Sequence, residues 1–176
     1  MIKMSLLISF MMFAQVLYSQ EQLDQVQANI HQVLLFDAAQ DPLAGKRVSA
    51  FNVEPGKPAI QGYDPVDYFI KNKAIKGKAD YAYSYHGITY RFSSETNLRE
   101  FQKQPEKYEP QYGGWCAYAM GNDGTKVEID PATFRIYEGK LYLFYNSFFN
   151  NTLKSWLKSE PDLKKKADQH WPKYYR

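Results

Sequence analysis

Cysteine is almost absent from this sequence: one residue, Cys116, stands among 176. A single cysteine cannot form a disulfide within the chain, so the core must stabilise the fold without cross-links. Phenylalanine and tyrosine, with 11 and 15 residues, supply much of that core. Cys116 itself is then a buried thiol, a metal ligand, a reactive group or half of an intermolecular bridge.

A large excess of one charge is also lacking. The net charge is +3, and the one dense basic cluster, Lys164-Lys165-Lys166, is typical of a solvated helix face. Nucleic-acid binding requires a larger, clustered basic surface, so no nucleic-acid partner is predicted. The sequence also has no phosphate-binding glycine loop, no paired-carboxylate pattern and no Ser/His/Asp pattern. It assigns no catalytic residues and favours a protein that is not an enzyme.

Long apolar runs are missing except near the N-terminus. Residues 4–13 carry no charge and follow Lys3, but this run is too short to span a bilayer. Residues 17–19 end in a small side chain, and cleavage after Ser19 would leave Gln20 first. We therefore predict a signal peptide over 1–19 and an exported protein, periplasmic or secreted. It is expected to be soluble after cleavage, without stable insertion in a membrane.

Residues 20–58 are predicted to form a helical N-terminal extension and a linker. Asp41-Pro42 stops the helix, and 54–58 is a turn-rich break. The helix is either a docking arm for a protein partner or a cap on its own domain. The domain is placed at 59–172, and a C-terminal tail at 173–176. The apolar residues at helical spacing in the extension are Leu23, Val26, Ile30 and Val33.

Two β-hairpins are predicted within the domain. Their turns are indicated at His86-Gly87 and Glu138-Gly139, each between runs rich in aromatic and β-branched residues. A further strand is predicted over 126–129. No internal repeat stands out. Hairpins interspersed with short helices predict an α+β fold, in which a small antiparallel sheet packs against those helices.

Several short helices are predicted between these strands. One follows Asp64-Pro65, with Asp64 as its cap and the proline at its first position. Others follow Ser93-Ser94 and Gly113-Gly114. The stretch 147–169 is also predicted to be helical and to be divided at Pro161.

Residues 108–120, YEPQYGGWCAYAM, form the candidate centre because they hold the only thiol. Cys116 and Met120 lie four residues apart and would share a face of a helix. Copper(I) favours thiolate, thioether and imidazole ligands, and His86 could complete such a set. Cys116, Met120 and His86 are therefore the candidate metal ligands, with copper as the candidate cofactor. The alternative is that Cys116 and Met120 fill the core.

Two other hypotheses use the same stretch. Cys116 could be a nucleophilic or redox thiol at a helix start, with His86 as its base. The aromatic residues could instead line an apolar pocket for a small ligand, although aromatics in a compact domain are usually core. The candidate pocket residues are Tyr112, Trp115 and Tyr118.

The ordered motifs resemble those of the YHS domain proteins. They are GYDPVDYF, then YSYHGITYRFSSETNLREFQKQPEKYEPQYGGWCAYAM, then YEGKLYLFYN and the closing WP. The resemblance covers about residues 60–172 and is to the exported branch, where one such domain follows a signal peptide. It implies a small α+β fold. Because YHS domains accompany copper-transporting ATPases, it also implies a module that binds or senses metal.

The sequence departs from the family pattern at one position. The metal suggestion for YHS domains usually rests on two cysteines, but the position near the FSS motif, 93 or 94, is serine here. A site with two thiolates in one chain is therefore excluded. The resemblance implies a copper-binding or copper-sensing module centred on Cys116. The alternative is a non-catalytic module that binds a small ligand or a protein.

Overall fold

The structure, a computed structural model, describes residues 20, 22–26, 41 and 43–174. The chain divides into two compact units, Met1–Asp41 and Pro42–Arg176. In the first unit, residues 22–26 are helical and the side chains of Leu23 and Val26 are exposed. The predicted signal peptide, and Ile30 and Val33 of the predicted helix, lie outside the described residues. No helix among the described residues has the length and apolarity that crossing a bilayer requires.

The second unit combines short helices with two-stranded antiparallel sheets, three of them in the part of the chain described. Its helices are α1 (Ala44–Ala50), α2 (Asp67–Ile70), α3 (Glu95–Lys103), α4 (Pro105–Tyr108), α5 (Ala117–Asn122), α6 (Thr152–Trp156) and α7 (Glu160–His170). Its strands are β1 (Lys78–Tyr85), β2 (Ile88–Phe92), β3 (Asp130–Tyr137), β4 (Lys140–Phe144), β5 (Asn146–Ser147) and β6 (Asn150–Asn151). Short 3-10 helices lie at Ala59–Gly62, Gln111–Gly114 and Trp171–Tyr174. The predicted α+β class is confirmed.

The first hairpin pairs β1 with β2 across the predicted turn. Tyr85 pairs with Ile88, and the turn residues His86 and Gly87 have φ values of 46° and 80°. A two-residue hairpin turn of this hand needs positive φ, which glycine adopts without a steric penalty. Alternate side chains of β2, from Ile88 to Phe92, are buried. The hairpin therefore presents one face of β2 to the core.

The second hairpin repeats the first at a constant spacing of 52 residues. Strands β3 and β4 begin and end 52 residues after β1 and β2. The pairing irregularity between Lys78 and Ala82 recurs between Asp130 and Phe134. The turn Glu138-Gly139 repeats the positive φ values, at 50° and 69°. The two hairpins thus share one backbone conformation, including its defects.

The same spacing relates the segments that precede the hairpins. The backbone N–H of Asp64 donates to the carbonyl of Ile75 at 2.8 Å, and that of Cys116 donates to Val127 at 2.9 Å. The compact unit therefore contains two structurally equivalent halves, a repeat that the sequence pattern does not reveal. Consecutive positive φ values also recur in the 3-10 helices of the two halves, at Ile60, Gln61 and Gly62 and at Tyr112, Gly113 and Gly114.

Each half builds its own aromatic core on its hairpin. In the first half, Phe101 of α3 packs on Tyr90 and Phe92, with ring centroids 4.9 and 5.1 Å apart. In the second half, Trp156 of α6 occupies the equivalent place. Its ring packs on Tyr142 and Phe144, with centroids at 5.8 and 5.6 Å. A helix that follows the second strand closes the core in both halves.

Three predicted elements differ from the structure. The helix expected after Asp64-Pro65 begins at Asp67, because Asp64 first accepts the N–H of Val66 in a tight turn, at 2.8 Å. The strand predicted over 126–129 is wrong; this extended segment is outside the strands and offers the Val127 carbonyl to Cys116. The predicted helix over 147–169 is interrupted at its start by β5 and β6, and only its later part is helical, as α6 and α7.

Helix α1 belongs to the compact unit, which begins at Pro42. Arg47 forms a buried ion pair with Glu109, which also accepts a hydrogen bond from the Tyr90 hydroxyl at 2.6 Å. The Arg47 guanidinium lies 4.4 Å from the centre of the Phe51 ring. The segment before residue 59 is thus bonded to the core. The domain boundary at 59 stays a prediction.

Two glycines in helices allow a matched stability test. A Cβ at Gly121 of α5 would lie 2.4 Å from the Leu163 carbonyl oxygen of α7, whereas a Cβ at Gly45 of α1 would meet nothing within 4 Å. We expect Gly121→Ala to lower the free energy of unfolding by about 1–3 kcal/mol or more, because helix backbones must separate. Gly45→Ala should raise it by up to about 1 kcal/mol through helix propensity. Urea denaturation measures both; equal effects would contradict the close approach of α5 and α7.

Candidate functional site

Cys116 lies immediately before α5, between the two hairpins. Its backbone pairs with Leu143 of β4 in an isolated parallel bridge, and its carbonyl accepts the N–H of Met120 at 3.0 Å. The side chain is completely buried, at 0% exposure. The thiol therefore has no access to solvent in this conformation, which separates it from the reactive cysteines of catalytic sites.

The Cys116 thiol has two hydrogen-bond partners, Tyr145 and Thr152. The backbone N–H of Tyr145 donates to the sulfur at 3.3 Å. The Thr152 hydroxyl lies 3.4 Å from the sulfur, and it donates its own proton to the Tyr145 carbonyl at 2.8 Å. Since the threonine proton is committed to that carbonyl, the thiol is the donor in the contact with Thr152. Cys116 thus donates one hydrogen bond and accepts another.

The first half places an aspartate where the second half has this cysteine. Asp64 precedes Cys116 by 52 positions, and the N–H of Ser93 donates to its carboxylate at 2.7 Å, as the N–H of Tyr145 donates to the thiol. Asn97, in the first turn of α3, donates to Asp64 at 2.6 Å, as Thr152 in the first turn of α6 contacts Cys116. Cys116 therefore occupies a position that recurs in the fold, where a buried side chain accepts the backbone N–H that follows the second strand.

The Asp64 cluster, which consists of Asp64, Asp67, Ser93 and Asn97, is a group of hydrogen-bonded polar side chains in the first half. Both carboxylates are fully buried. Asp67 accepts the Ser93 hydroxyl at 2.7 Å, the Asn97 amide at 2.9 Å and the Lys71 ammonium at 2.8 Å. From the sequence, Asp64 is predicted only as a helix cap, and Asp67 has no predicted partner. The available signal was that GYDPVDYF and FSSETN each place short polar residues beside an apolar run. Such polar residues could have indicated that the two motifs are hydrogen-bonded to each other.

The candidate metal ligands occupy different environments. Met120 is fully buried in the second aromatic core, with Trp156 and Phe144, whereas Cys116 packs in the first. His86 lies at the turn of the first hairpin, where its ring packs on Tyr85 with centroids 4.3 Å apart. Within the residues described, no group of three or more His, Cys, Asp and Glu side chains is arranged to hold a metal ion. A metal site at Cys116 would need the Met120 thioether as a second ligand. Thiolate and thioether are both soft ligands.

The candidate pocket residues have separate structural roles. Tyr112 is buried and donates its hydroxyl hydrogen bond to Asp168 at 3.0 Å; burial, with Asp168 nearby, raises the pKa of Tyr112 well above its usual value. Trp115 donates its indole N–H to the Ala50 carbonyl at 2.7 Å. Tyr118 is half-buried and packs against both aromatic cores. These contacts are those of core residues.

A surface cleft lies elsewhere, beside the 54–58 turn. Its volume is about 280 Å³, and Tyr112, Trp115 and Tyr118 are not among the residues that line it. Glu54, Lys57 and Glu128 give this cleft charge of both signs. Val53 and Pro58 add apolar surface to its lining, so the cleft combines apolar and charged groups, as small-molecule sites commonly do.

Fold and site together define a small α+β domain in which buried polar side chains link strand ends to helix starts. The family model of the YHS domain matches residues 64–112. The chain therefore contains a YHS domain, and the matched segment runs from Asp64 to the start of the second half. No curated protein and no solved structure matches the chain.

The equivalence of Asp64 and Cys116 leads to a comparative prediction. Asp64→Ala removes the acceptor of three donors, those of Val66, Ser93 and Asn97. Cys116→Ala orphans one N–H, that of Tyr145. At about 1–3 kcal/mol for each orphaned buried donor, Asp64→Ala should reduce the free energy of unfolding by several kcal/mol and clearly more than Cys116→Ala.

Chemical denaturation of both variants measures this order, with the exposed Asp80→Ala as the control. The control should change the free energy of unfolding by less than about 0.5 kcal/mol. A larger loss for Cys116→Ala than for Asp64→Ala would show that the two positions are not equivalent.

Proposed function

We propose that this YHS-domain protein is a non-catalytic binding module whose recognition element is the tip of the β5–β6 hairpin, Phe148-Phe149. The single observation that supports it is exposure: these two phenylalanines are 99% and 106% exposed, whereas the phenylalanines that pack in the two cores are buried or half-buried. Adjacent, fully exposed aromatic residues on a folded hairpin are typical of interaction surfaces.

The position of the hairpin supports the same proposal. In the first half, only Ser93 separates β2 from Ser94, which caps α3. In the second half, β5 and β6 come between β4 and α6, and Asn151 at the end of β6 caps α6. The hairpin is therefore an addition to a unit that folds without it in the other half. A segment that the fold does not need, and that exposes apolar surface, is a candidate for function.

The buried polar groups favour binding over catalysis. The carboxylates of the Asp64 cluster and the thiol of Cys116 are paired and enclosed, which is how structural polar groups are satisfied. A thiol nucleophile would need an accessible, deprotonated sulfur with a base beside it. The thiol here donates to Thr152 instead.

Copper binding or sensing at Cys116 is a second proposal. Cys116 and Met120 are both soft ligands, and they lie one helical turn apart in a YHS-domain protein. To bind copper(I), the thiol would lose its proton and its contact with Thr152, and the two side chains would have to turn toward one space. His86 remains the third candidate ligand.

Export and a protein partner are carried forward as proposals. The uncharged run at 4–13 supports a signal peptide and a periplasmic or secreted protein. The exposure of Leu23 and Val26 on a helical segment, at 59% and 53%, supports a docking role for the N-terminal helix. Both side chains lie on one face of a helix and are available to a partner.

The binding-module proposal predicts that the tip is dispensable for folding. Phe148→Gly/Phe149→Ser should leave the midpoint of thermal unfolding unchanged or raise it, because Phe148 has a positive φ of 48°, which glycine adopts more easily. Differential scanning calorimetry measures the midpoint, and Phe101→Ser, which removes a fully buried ring, is the destabilised control. A marked loss of stability in the tip variant would mean that the tip belongs to the fold, and the proposal would fail.

The copper proposal predicts about one metal ion per chain after anaerobic reconstitution with copper(I), and loss of that ion in Cys116→Ala. Zinc reconstitution and Met120→Leu serve as the matched comparisons. If copper content is the same in wild type and in Cys116→Ala, the copper proposal is wrong. Alkylation of Cys116 in the folded protein should then be slow, as expected of a thiol with no access to solvent.

A further inference from the structure

The hairpin that ends in Phe148-Phe149 has three layers of side chains. The two phenylalanines form its tip. The uncharged, hydrogen-bonding residues at its base come next, with Asn146 paired to Asn151 and Ser147 paired to Asn150. The flanking segment is basic: from 139 to 159 the sequence has no aspartate or glutamate and has three lysines. Two of these lysines, Lys154 and Lys158, follow the hairpin and are exposed.

The turn keeps a strained phenylalanine where another residue would fold better. Phe148 is the first central residue of the two-residue turn, and its φ is 48°. Glycine or asparagine is preferred at a positive φ, and the other two hairpin turns place a glycine second, at Gly87 and Gly139. A bulky residue in this conformation reduces stability, and such outliers cluster at functional positions. A phenylalanine at this position therefore costs stability without adding a core contact.

We propose that the Phe148-Phe149 tip adsorbs reversibly to an anionic lipid surface. This inference rests on the proposed function, and it names the partner of the same tip. The phenylalanines would enter the boundary between headgroups and acyl chains, the asparagines and Ser147 would lie at headgroup level, and Lys154 and Lys158 would face the anionic phosphates. The order of the layers along the hairpin follows the order of the layers in a bilayer.

A lipid surface fits the tip better than a protein groove does. Side-chain exposures of 99% and 106% mean that no neighbouring atoms of the described chain cover either ring, so the tip is convex. A bilayer accepts a convex apolar tip without a preformed cavity, and it attracts juxtaposed lysines when it is anionic. Asp130 accepts hydrogen bonds from Asn146 at 3.3 Å and Thr133 at 2.7 Å, and its negative charge at the hairpin base opposes this attraction in part.

Vesicle partitioning of the full chain tests the inference. Wild type, Phe148→Gly/Phe149→Ser and the control Ile70→Ser, an exposed apolar residue outside the hairpin, would be compared. The vesicles would be pure phosphatidylcholine or an equal mixture of phosphatidylcholine and phosphatidylglycerol. We expect the double variant to lose at least about tenfold of the partition coefficient on the anionic vesicles, because two rings leave the interface. Ile70→Ser should match wild type, and salt should weaken binding.

A second measurement reports on the tip itself. In Phe149→Trp, brominated phosphatidylcholine mixed into the anionic vesicles should quench the added tryptophan fluorescence, which places residue 149 at the depth of the acyl chains. Since every variant shares the same N-terminal residues, neither comparison depends on them.

Equal partitioning of wild type and the double variant, or no added quenching in Phe149→Trp, overturns the lipid inference. If sedimentation then shows a dimer that the double variant abolishes, the tip contacts a second copy of the chain; the lipid inference is still wrong, and the binding-module proposal stands. Loss of thermal stability in the double variant is the separate result that removes the binding-module proposal.

Discussion

One hydrogen bond, made once in each half, determines how this domain closes. The first residue after the second strand of each hairpin, Ser93 or Tyr145, donates its backbone N–H to a side chain that lies just before the preceding helix. At that point the strand has left its partner, and the N–H of this half-buried residue would otherwise have no acceptor in the sheet, at a cost in free energy. The acceptor at 64 or 116 removes that cost and fixes the direction in which the chain leaves the sheet.

The two halves satisfy this requirement with different chemistry. Asp64 gives the first half a charged acceptor, which holds Asn97 and Ser93 and is joined by Asp67. Cys116 gives the second half a weak acceptor and a weak donor, at sulfur distances of 3.3 and 3.4 Å. Charge-assisted hydrogen bonds are roughly twice as strong as neutral ones. The first half is consequently the more rigidly bonded of the two, and the cysteine is understood first as a structural replacement for an aspartate.

Much of the fold followed from local sequence signals. The turns at His86-Gly87 and Glu138-Gly139 were predictable because glycine marks positive φ, and Ser94 capped α3 as its hydroxyl predicts. The repeat was not predictable, because the equivalent positions reach the same geometry with unlike residues. Ile60 and Tyr112 share a positive φ that neither side chain signals. Phe101 and Trp156 likewise close equivalent cores with different rings.

The candidate site was predictable in position but not in bonding. The sequence singled out Cys116, and the structure encloses that thiol between two hydrogen-bond partners. Thr152 and Tyr145 lie about 30 residues or more along the chain from it, so no local pattern links them to the cysteine. The exposure of Phe148 was not predictable from the sequence for a similar reason. A phenylalanine within an aromatic-rich stretch predicts core, and only the register of β5 and β6 places it at a turn.

The junction between the second strand and the next helix is where this fold accommodates extra length. One half crosses it directly through Ser93 and Ser94, and the other crosses it through a complete hairpin, while the strands before it keep identical registers. Loops of unrelated length and composition can therefore be exchanged at one junction without altering the core that supports them. The domain is in this respect a display scaffold, with one position already occupied by a loop and an equivalent position that is free to receive another.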